Sequence, residues 1–232
     1  SDVGMAASKI VNYEDPNVID KAGHLIYPDG QNRGRGSGEL DRGQYDRAEE
    51  VLWPDGCAAI YRKAMLDEIG GFDEDLFAYG DDAELGLRAR IAGWRCVYVP
   101  TAVVRHHRGA TLGLLSRRRL ELIERNRVLL AVKHFPASLL CANPIFFAAR
   151  LVAGMWSGLR GQGEVSKFPG IRGKLTVAAA LLKGDLEALA MLPSTLRKRR
   201  RMRLLRKLTP RQVRELLFHY RIPLKALTDQ AI

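Results

Sequence analysis

With 232 residues, 47% of them hydrophobic and 27% charged, the chain has enough apolar material to bury a core and the composition of a globular protein. Its net charge of +11 is unevenly divided: residues 1–110 hold 13 Lys and Arg against 19 Asp and Glu, and the remainder holds 24 against 7. An acidic first part and a strongly basic second part point to two functions in one chain. Cys57, Cys96 and Cys141 lie far apart with no C-x-x-C, which excludes a disulfide framework and a zinc site and reads as buried free thiols in a reducing compartment.

The first residues, SDVGMAASKIV, lack the basic region and long apolar core of a signal peptide, and they lack an initiator Met. They run directly into a short apolar strand at 5–11, so the chain is expected to be a fragment of something longer. A second strand at 24–27 enters a Pro28-Asp29-Gly30 turn, where Pro presets φ and Gly tolerates positive φ. Residues 30–48, GQNRGRGSGELDRGQYDRA, are polar and Gly-rich and are expected to form a long surface loop of the kind that binds ligands. Arg33, Arg35 and Arg42 on it are candidates for phosphate contact, although Gly34, Gly36 and Gly38 spell neither G-x-G-x-x-G nor a P-loop.

Residues 57–61, CAAIY, form a third strand beside Gly56, where small side chains permit close approach to the backbone. A helix at 63–69 is ended by Gly70-Gly71, and another at 82–92 stops at Gly93. Strands at 95–99 and 102–107 flank Pro100, and the alternation of strands and helices defines an α/β domain. Beyond residue 111 the texture becomes helical, with one helix at 114–135 and further helices broken at Pro144, Pro169, Pro193 and Pro210. Residues 137–159 are the most apolar window. Asn143, Pro144 and Arg150 within it favour a helix lying in a membrane interface, or packed on the domain, over a clean transmembrane span.

Residues 77–94, FAYGDDAELGLRARIAGW, place three acids at the start of the second helix. Asp81 and Glu84 have the spacing of a capping box, and acids in a first turn complement the helix dipole. Asp81 and Asp82 at the mouth of a sheet also suit a general base that deprotonates a hydroxyl, with like-charge crowding raising one pKa to a useful value.

The ordered run from 56 to 107, GCAAIYRKAMLDEIGGFDEDLFAYGDDAELGLRARIAGWRCVYVPTAVVRHH, resembles the second half of the catalytic domain of family 2 glycosyltransferases, particularly the rhamnosyltransferase-like members. The shared order is a small-residue strand, G-G-F-D-E, an aromatic step into an acidic helix start, G-W-R, a strand ending in Pro and a strand ending in His. It extends over roughly residues 1–135, including Arg125-Asn126. The resemblance implies part of a GT-A-type mixed sheet flanked by helices, the fold of nucleotide-diphospho-sugar transferases, followed by an all-helical basic extension at 136–232. It makes residues 1–135 the acceptor-side half, with the nucleotide-binding strands and main metal ligands upstream and little activity for the isolated chain.

On that resemblance Asp82 is the catalytic base, Asp81 the preceding acidic position and Glu84 the following one. The base takes the proton of an acceptor hydroxyl as it attacks the anomeric carbon of a nucleotide sugar, with inversion. Rhamnose is the nearest donor sugar within the family, and the acceptor is a cell-surface glycan or a lipid-linked sugar of bacterial cell-wall polysaccharide synthesis. A divalent ion, Mg2+ or Mn2+, neutralises the leaving diphosphate, with His106 as the matching ligand. His107, its neighbour on the strand, faces the opposite side. Asp73-Glu74-Asp75 spells the D-x-D metal motif but follows Gly70-Gly71-Phe72, which aligns it with the acceptor side. Gly56, Phe72, Asp73, Glu74 and Glu84 are therefore the expected acceptor-binding residues.

The tail 196–207, LRKRRRMRLLRK, offers Arg197, Lys198, Arg199, Arg200, Arg201 and Arg203 to an anionic surface. A peripheral position on the cytoplasmic face of the plasma membrane is the leading reading, since each basic residue near an anionic bilayer contributes about 1 kcal/mol. Leu196, Met202, Leu204 and Leu205 supply apolar contact beside them. A solvated helix face, or a non-catalytic basic module for membrane or nucleic acid, is the alternative. The run has no aromatic residue for base stacking.

Overall fold

The computed structural model describes residues 2–110 and 112–229. Its centre is a five-stranded mixed sheet built on β1 (Val3–Asn12). β7 (Arg95–His106) runs parallel to β1, while β2 (Ile19–Lys21) and β6 (Ala59–Tyr61) pair antiparallel with successive stretches of it. β5 (Glu49–Val51) pairs antiparallel with β7, and β3 (His24–Ile26) with β4 (Asn32–Gly34) makes a separate hairpin. β1 is paired on both edges, which suits its apolar sequence VGMAASKIVN.

Eight helices flank and extend the sheet among the described residues: α1 (Lys63–Ile69), α2 (Asp81–Ile91), α3 (Arg117–His134), α4 (Ala137–Leu159), α5 (Gly163–Ser166), α6 (Gly170–Met202), α7 (Pro210–His219) and α8 (Leu224–Asp229). The main core joins Met5 and Ala7 of β1, Trp53, Leu85 and Leu87 of α2, and Tyr98 of β7 to Phe135, Leu139, Val213 and Leu217 from the later helices. The sheet and the helical extension thus share one apolar cluster, and each fully buried Leu or Phe in it contributes about 1.5–3 kcal/mol. Gly86 brings α2 against Trp53, where an added Cβ would stand 2.2 Å from the Trp53 Cβ. Gly184 likewise lets α6 lie close against α3, where an added Cβ would stand 2.6 Å from Glu121 O.

Several expectations change. Residues 95–106 are one strand, because the pairing with β1 steps from Ser8 with Val99 to Lys9 with Val103 and so bulges out Pro100, whose missing N–H is not needed there. Residues 30–48 are not wholly a surface loop: β4 lies within them and Gln31, Arg33 and Ser37 are buried. Pro144 and Pro193 sit inside α4 and α6 without ending them, whereas Pro169 and Pro210 do mark helix starts. An interior Pro costs about 3 kcal/mol, and the packing of α4 and α6 on the domain outweighs it. Cys96 is buried as expected, but Cys57 and Cys141 are exposed.

α4 is the one helix among the described residues long and apolar enough to cross a membrane by length and composition. Its inner face is docked on the domain: Asn143 donates to Asp29 O at 3.0 Å, Arg150 pairs with Asp29 and Glu124, and Phe146 packs edge-on to Tyr27. Its outer face leaves Ile145, Val152, Met155, Trp156 and Leu159 exposed.

Candidate active site

The two aspartates sit at the first turn of α2, entered through Gly80 at φ 92°. The expected capping box does not form. Gly80 is the N-cap, Asp81 is already helical, and no side chain caps the helix. The approach is strained as well, with Phe77 at φ 63° and Tyr79 at φ 64°, values that non-glycine residues adopt only when held. Asn126 on α3 holds them: its Nδ2 lies 2.9, 2.8 and 2.7 Å from the carbonyl oxygens of Leu76, Ala78 and Tyr79. Arg125 adds a second hydrogen bond to Leu76 O, at 2.8 Å.

Asp82 Oδ2 accepts a hydrogen bond from the Gly56 amide at 3.0 Å and stands 3.9 Å from His24 Nε2. His24 Nε2 is in turn 3.1 Å from Asp55 Oδ2, which Lys21 also contacts. β2, β3 and the turn before β6 thus converge on the start of α2. These groups line an open cleft of about 590 Å³ together with Arg33, Tyr79, Asp81 and His106.

Charge is sharply partitioned across the cleft. Burial, with the charges of Asp82 and Asp55 nearby, pushes the Asp81 carboxyl up to about 6. Burial acts the same way on Asp55, but Lys21 and His24 outweigh it and hold that carboxyl well below its ordinary range.

His24, Asp55 and Asp82 present one imidazole nitrogen and two carboxylate oxygens within 4.8 Å of one another, a donor set that fits a divalent cation. His24 Nδ1 is buried without a partner, and the ring is oriented by its contacts at Nε2 and by stacking on Trp53, with centroids 5.9 Å apart. Lys21 already neutralises part of Asp55 and would compete with a metal ion.

Of the residues read from sequence, Asp81, Asp82, Gly56 and His106 meet at the cleft. His106 stands apart from the three-residue donor group: its Nδ1 lies 2.6 Å from Asp20 Oδ2, and Arg108 pairs with the same carboxylate. Glu84 leaves the cleft altogether. It is buried in the core between Arg88, Lys133 and His134, and the His134 hydrogen bond together with the Lys133 and Arg88 charges holds its carboxyl below the usual range despite burial. Asp73 is likewise taken up, by Lys133 and Lys198, while Glu74 lies in a short 3-10 turn and Phe72 packs edge-on to Tyr61. None of Phe72, Asp73, Glu74 and Glu84 lines the cleft.

In the tail, Lys198 is spent on Asp73 and Asp75, and Arg199 donates to the carbonyls of Val132 and Phe135. That leaves Arg197, Arg200, Arg201 and Arg203 exposed. Sequence reasoning missed Lys21, His24 and Asp55. For Lys21 and His24 the signal was the run IDKAGHLIY, which sets charged and polar residues within two short strands; Asp55 lies outside it, in the WPDG turn.

A mixed curled sheet with flanking helices, carrying paired aspartates at a helix mouth on an open cleft, is consistent with a GT-A-type fold. Residues 37–121, which include Asp55, Asp81 and Asp82, match the family model described as glycosyltransferase like family 2. Over 63 residues the chain is 43% identical to the N-acetylglucosaminyl-diphospho-decaprenol L-rhamnosyltransferase of Mycobacterium tuberculosis strain CDC 1551 / Oshkosh, and equally to that of strain ATCC 25618 / H37Rv. The matched segment is 27% of this chain and 20% of each relative, so the chain spans about a fifth of the length of the curated relatives it matches.

Proposed function

We propose that the chain carries the acceptor-activating part of an inverting glycosyltransferase. This part moves a sugar from a nucleotide-diphosphate donor to a hydroxyl of a glycan or lipid-linked acceptor. The observation that carries the reading is the Asp81–Asp82 pair at the start of α2, inside the family match and facing the cleft. Asp82 is the general base, placed by the Gly56 amide so that it can take the acceptor hydroxyl proton during attack on the anomeric carbon. Asp81 beside it, raised toward neutrality, is positioned to bind the acceptor through a carboxyl that is partly protonated.

The relatives act on a decaprenyl-diphosphate-linked N-acetylglucosamine by name, which supports a lipid-linked acceptor and rhamnose as the sugar here. A divalent ion, Mg2+ or Mn2+, held by His24 and Asp55 beside Asp82 would supply charge neutralisation for the leaving diphosphate and leave Asp82 free as the base. The exposed apolar stripe of α4 and the free arginines at 197, 200, 201 and 203 support a peripheral position at the inner face of the plasma membrane.

The test is sugar transfer by the native protein from a panel of nucleotide-diphosphate sugars to a lipid-linked acceptor. Asp82→Asn is expected to lower kcat by about 100-fold or more, the scale of a lost general base, with the fold intact by circular dichroism. Undiminished transfer by Asp82→Asn would remove Asp82 from the role of base.

A further inference from the structure

A second cavity adjoins the cleft. It is an apolar groove of about 790 Å³ between α4 and α6, walled by Leu151, Met155, Leu175 and Leu182. Gln31, Arg33, Arg119 and Ile123 line both cavities, so the groove adjoins the cleft at these four residues. Its outer rim is exposed at Met155, Leu159, Ile171 and Leu175. The groove therefore runs, mostly apolar, from the protein surface to a polar junction beside the catalytic cleft.

The junction carries a cation with donors to spare. Arg33 is 8% exposed, and its Nη2 donates to Leu227 O at 2.8 Å, but its Nε and Nη1 are buried and lack any partner. Burial pushes its pKa down to about 10. The other cations there are engaged: Arg119 with Leu114 O and Glu164, Arg127 with Glu124 and Asp29 O, and Arg150 with Asp29 and Glu124. A guanidinium left with open donors in a dry site is costly, and an anionic oxygen delivered to it would satisfy them.

We propose that this groove holds the hydrocarbon chain of a polyprenyl diphosphate-linked acceptor, with Arg33 receiving the diphosphate at the junction and the attached sugar reaching Asp82. The assignment rests on the glycosyltransferase reading for the identity of the sugar end. The chain and diphosphate ends rest on the groove and on Arg33. An occupant that is long and apolar with an anionic head suits this geometry, because leucines, Met155 and other apolar side chains make up most of the wall while the junction offers two open Arg33 donors.

Calorimetric titration of the 232-residue chain with farnesyl diphosphate, geranyl diphosphate, farnesol and inorganic pyrophosphate tests it. Farnesyl diphosphate is expected to bind at least about tenfold tighter than geranyl diphosphate or pyrophosphate, as burial of added CH2 groups requires. Arg33→Gln should weaken both prenyl diphosphates about tenfold or more and leave farnesol unchanged, the signature of a lost charge-assisted contact.

Gly154 lines the groove, and a Cβ there meets nothing within 4 Å. Gly154→Phe therefore has room at its Cβ, sets a ring into the groove and should abolish the preference for the longer chain while sparing pyrophosphate. This second variant keeps the test decisive where Arg33→Gln unfolds. Equal affinity for pyrophosphate and farnesyl diphosphate would overturn the groove assignment. So would binding to phosphatidylglycerol vesicles with no response to prenyl diphosphates, or a dimer in analytical ultracentrifugation that Gly154→Phe dissolves. Chain-length-dependent binding in a native protein that transfers no sugar would uphold the groove and sink the transferase reading. Transfer to a short water-soluble acceptor without any chain-length preference would do the reverse.

Discussion

Asn126 pins Tyr79: the Asn126 Nδ2 lies 2.7 Å from the Tyr79 carbonyl oxygen, one residue before the glycine that opens α2. The same amide reaches Leu76 O and Ala78 O, so one α3 side chain fixes the whole strained approach to the aspartates. Asn126→Ala would leave buried carbonyls unsatisfied and is expected to cost about 2 kcal/mol in urea unfolding. Its effect on kcat should exceed that of an equally destabilising change elsewhere in the core, because the positive-φ residues lose their restraint.

The Glu84 cluster gives the fold a pH dependence. His134 is buried with its Nε2 2.8 Å from Glu84 Oε1, and burial holds its pKa down to about 4 from 6.5. Lys133 and Arg88 also face the pair. Since the unfolded chain protonates this histidine first, stability is full above about pH 6.5 and falls as the pH drops toward 4, by roughly 3 kcal/mol at the limit. Glu84, held below its ordinary value, adds loss in the same direction at still lower pH. Denaturant midpoints measured from pH 7 to pH 4 should fall steeply for the native chain and less steeply for His134→Gln.

Gly86→Ala sets two effects against each other. Alanine in a helix interior gains about 1 kcal/mol over glycine. The new Cβ, however, would lie 2.2 Å from the Trp53 Cβ in the main core, and overpacking of that kind costs about 1–3 kcal/mol or more. The sum is expected to be a lower Tm, and a raised Tm would show that α2 can back away from Trp53.

Lys198 ties the end of α6 to Asp73 and Asp75 beside the 3-10 turn at Glu74–Leu76. The lysine is partly exposed, so screening limits the interaction to about 1 kcal/mol. A double-mutant cycle of Lys198→Ala with Asp73→Ala should return a coupling of that size that shrinks in high salt, and a zero coupling would make the contact incidental.

Much of this was legible in the sequence, and the failures have definite causes. The start and end of α2 and the placing of Asp81 and Asp82 on a cleft followed from glycine punctuation and the spacing of acids. Glu84 looked like part of the same acidic group. Its partners Lys133 and His134 come from α3, some 50 residues on, so local pattern could not show it turning inward, although Arg88 at i+4 was a visible hint. His24 and Asp55, separated by 31 residues, meet only in the folded chain, one from the β3–β4 hairpin and the other from the turn before β6. Arg33 was singled out for a phosphate, but on a surface loop. Its burial depends on Leu227, nearly two hundred residues away.

The bulge at Pro100 also decides parity along β7. Three residues lie unmatched between Val99 and Val103, an odd number, so every side chain beyond them faces opposite to where an uninterrupted ladder would send it. His106 reaches Asp20 only by virtue of that odd count. A one-residue insertion or deletion at 100–102 would present Arg105 or His107 to Asp20 instead, while a two-residue change would preserve the orientation. The parity of the chain length at this point thus decides which side chain meets Asp20.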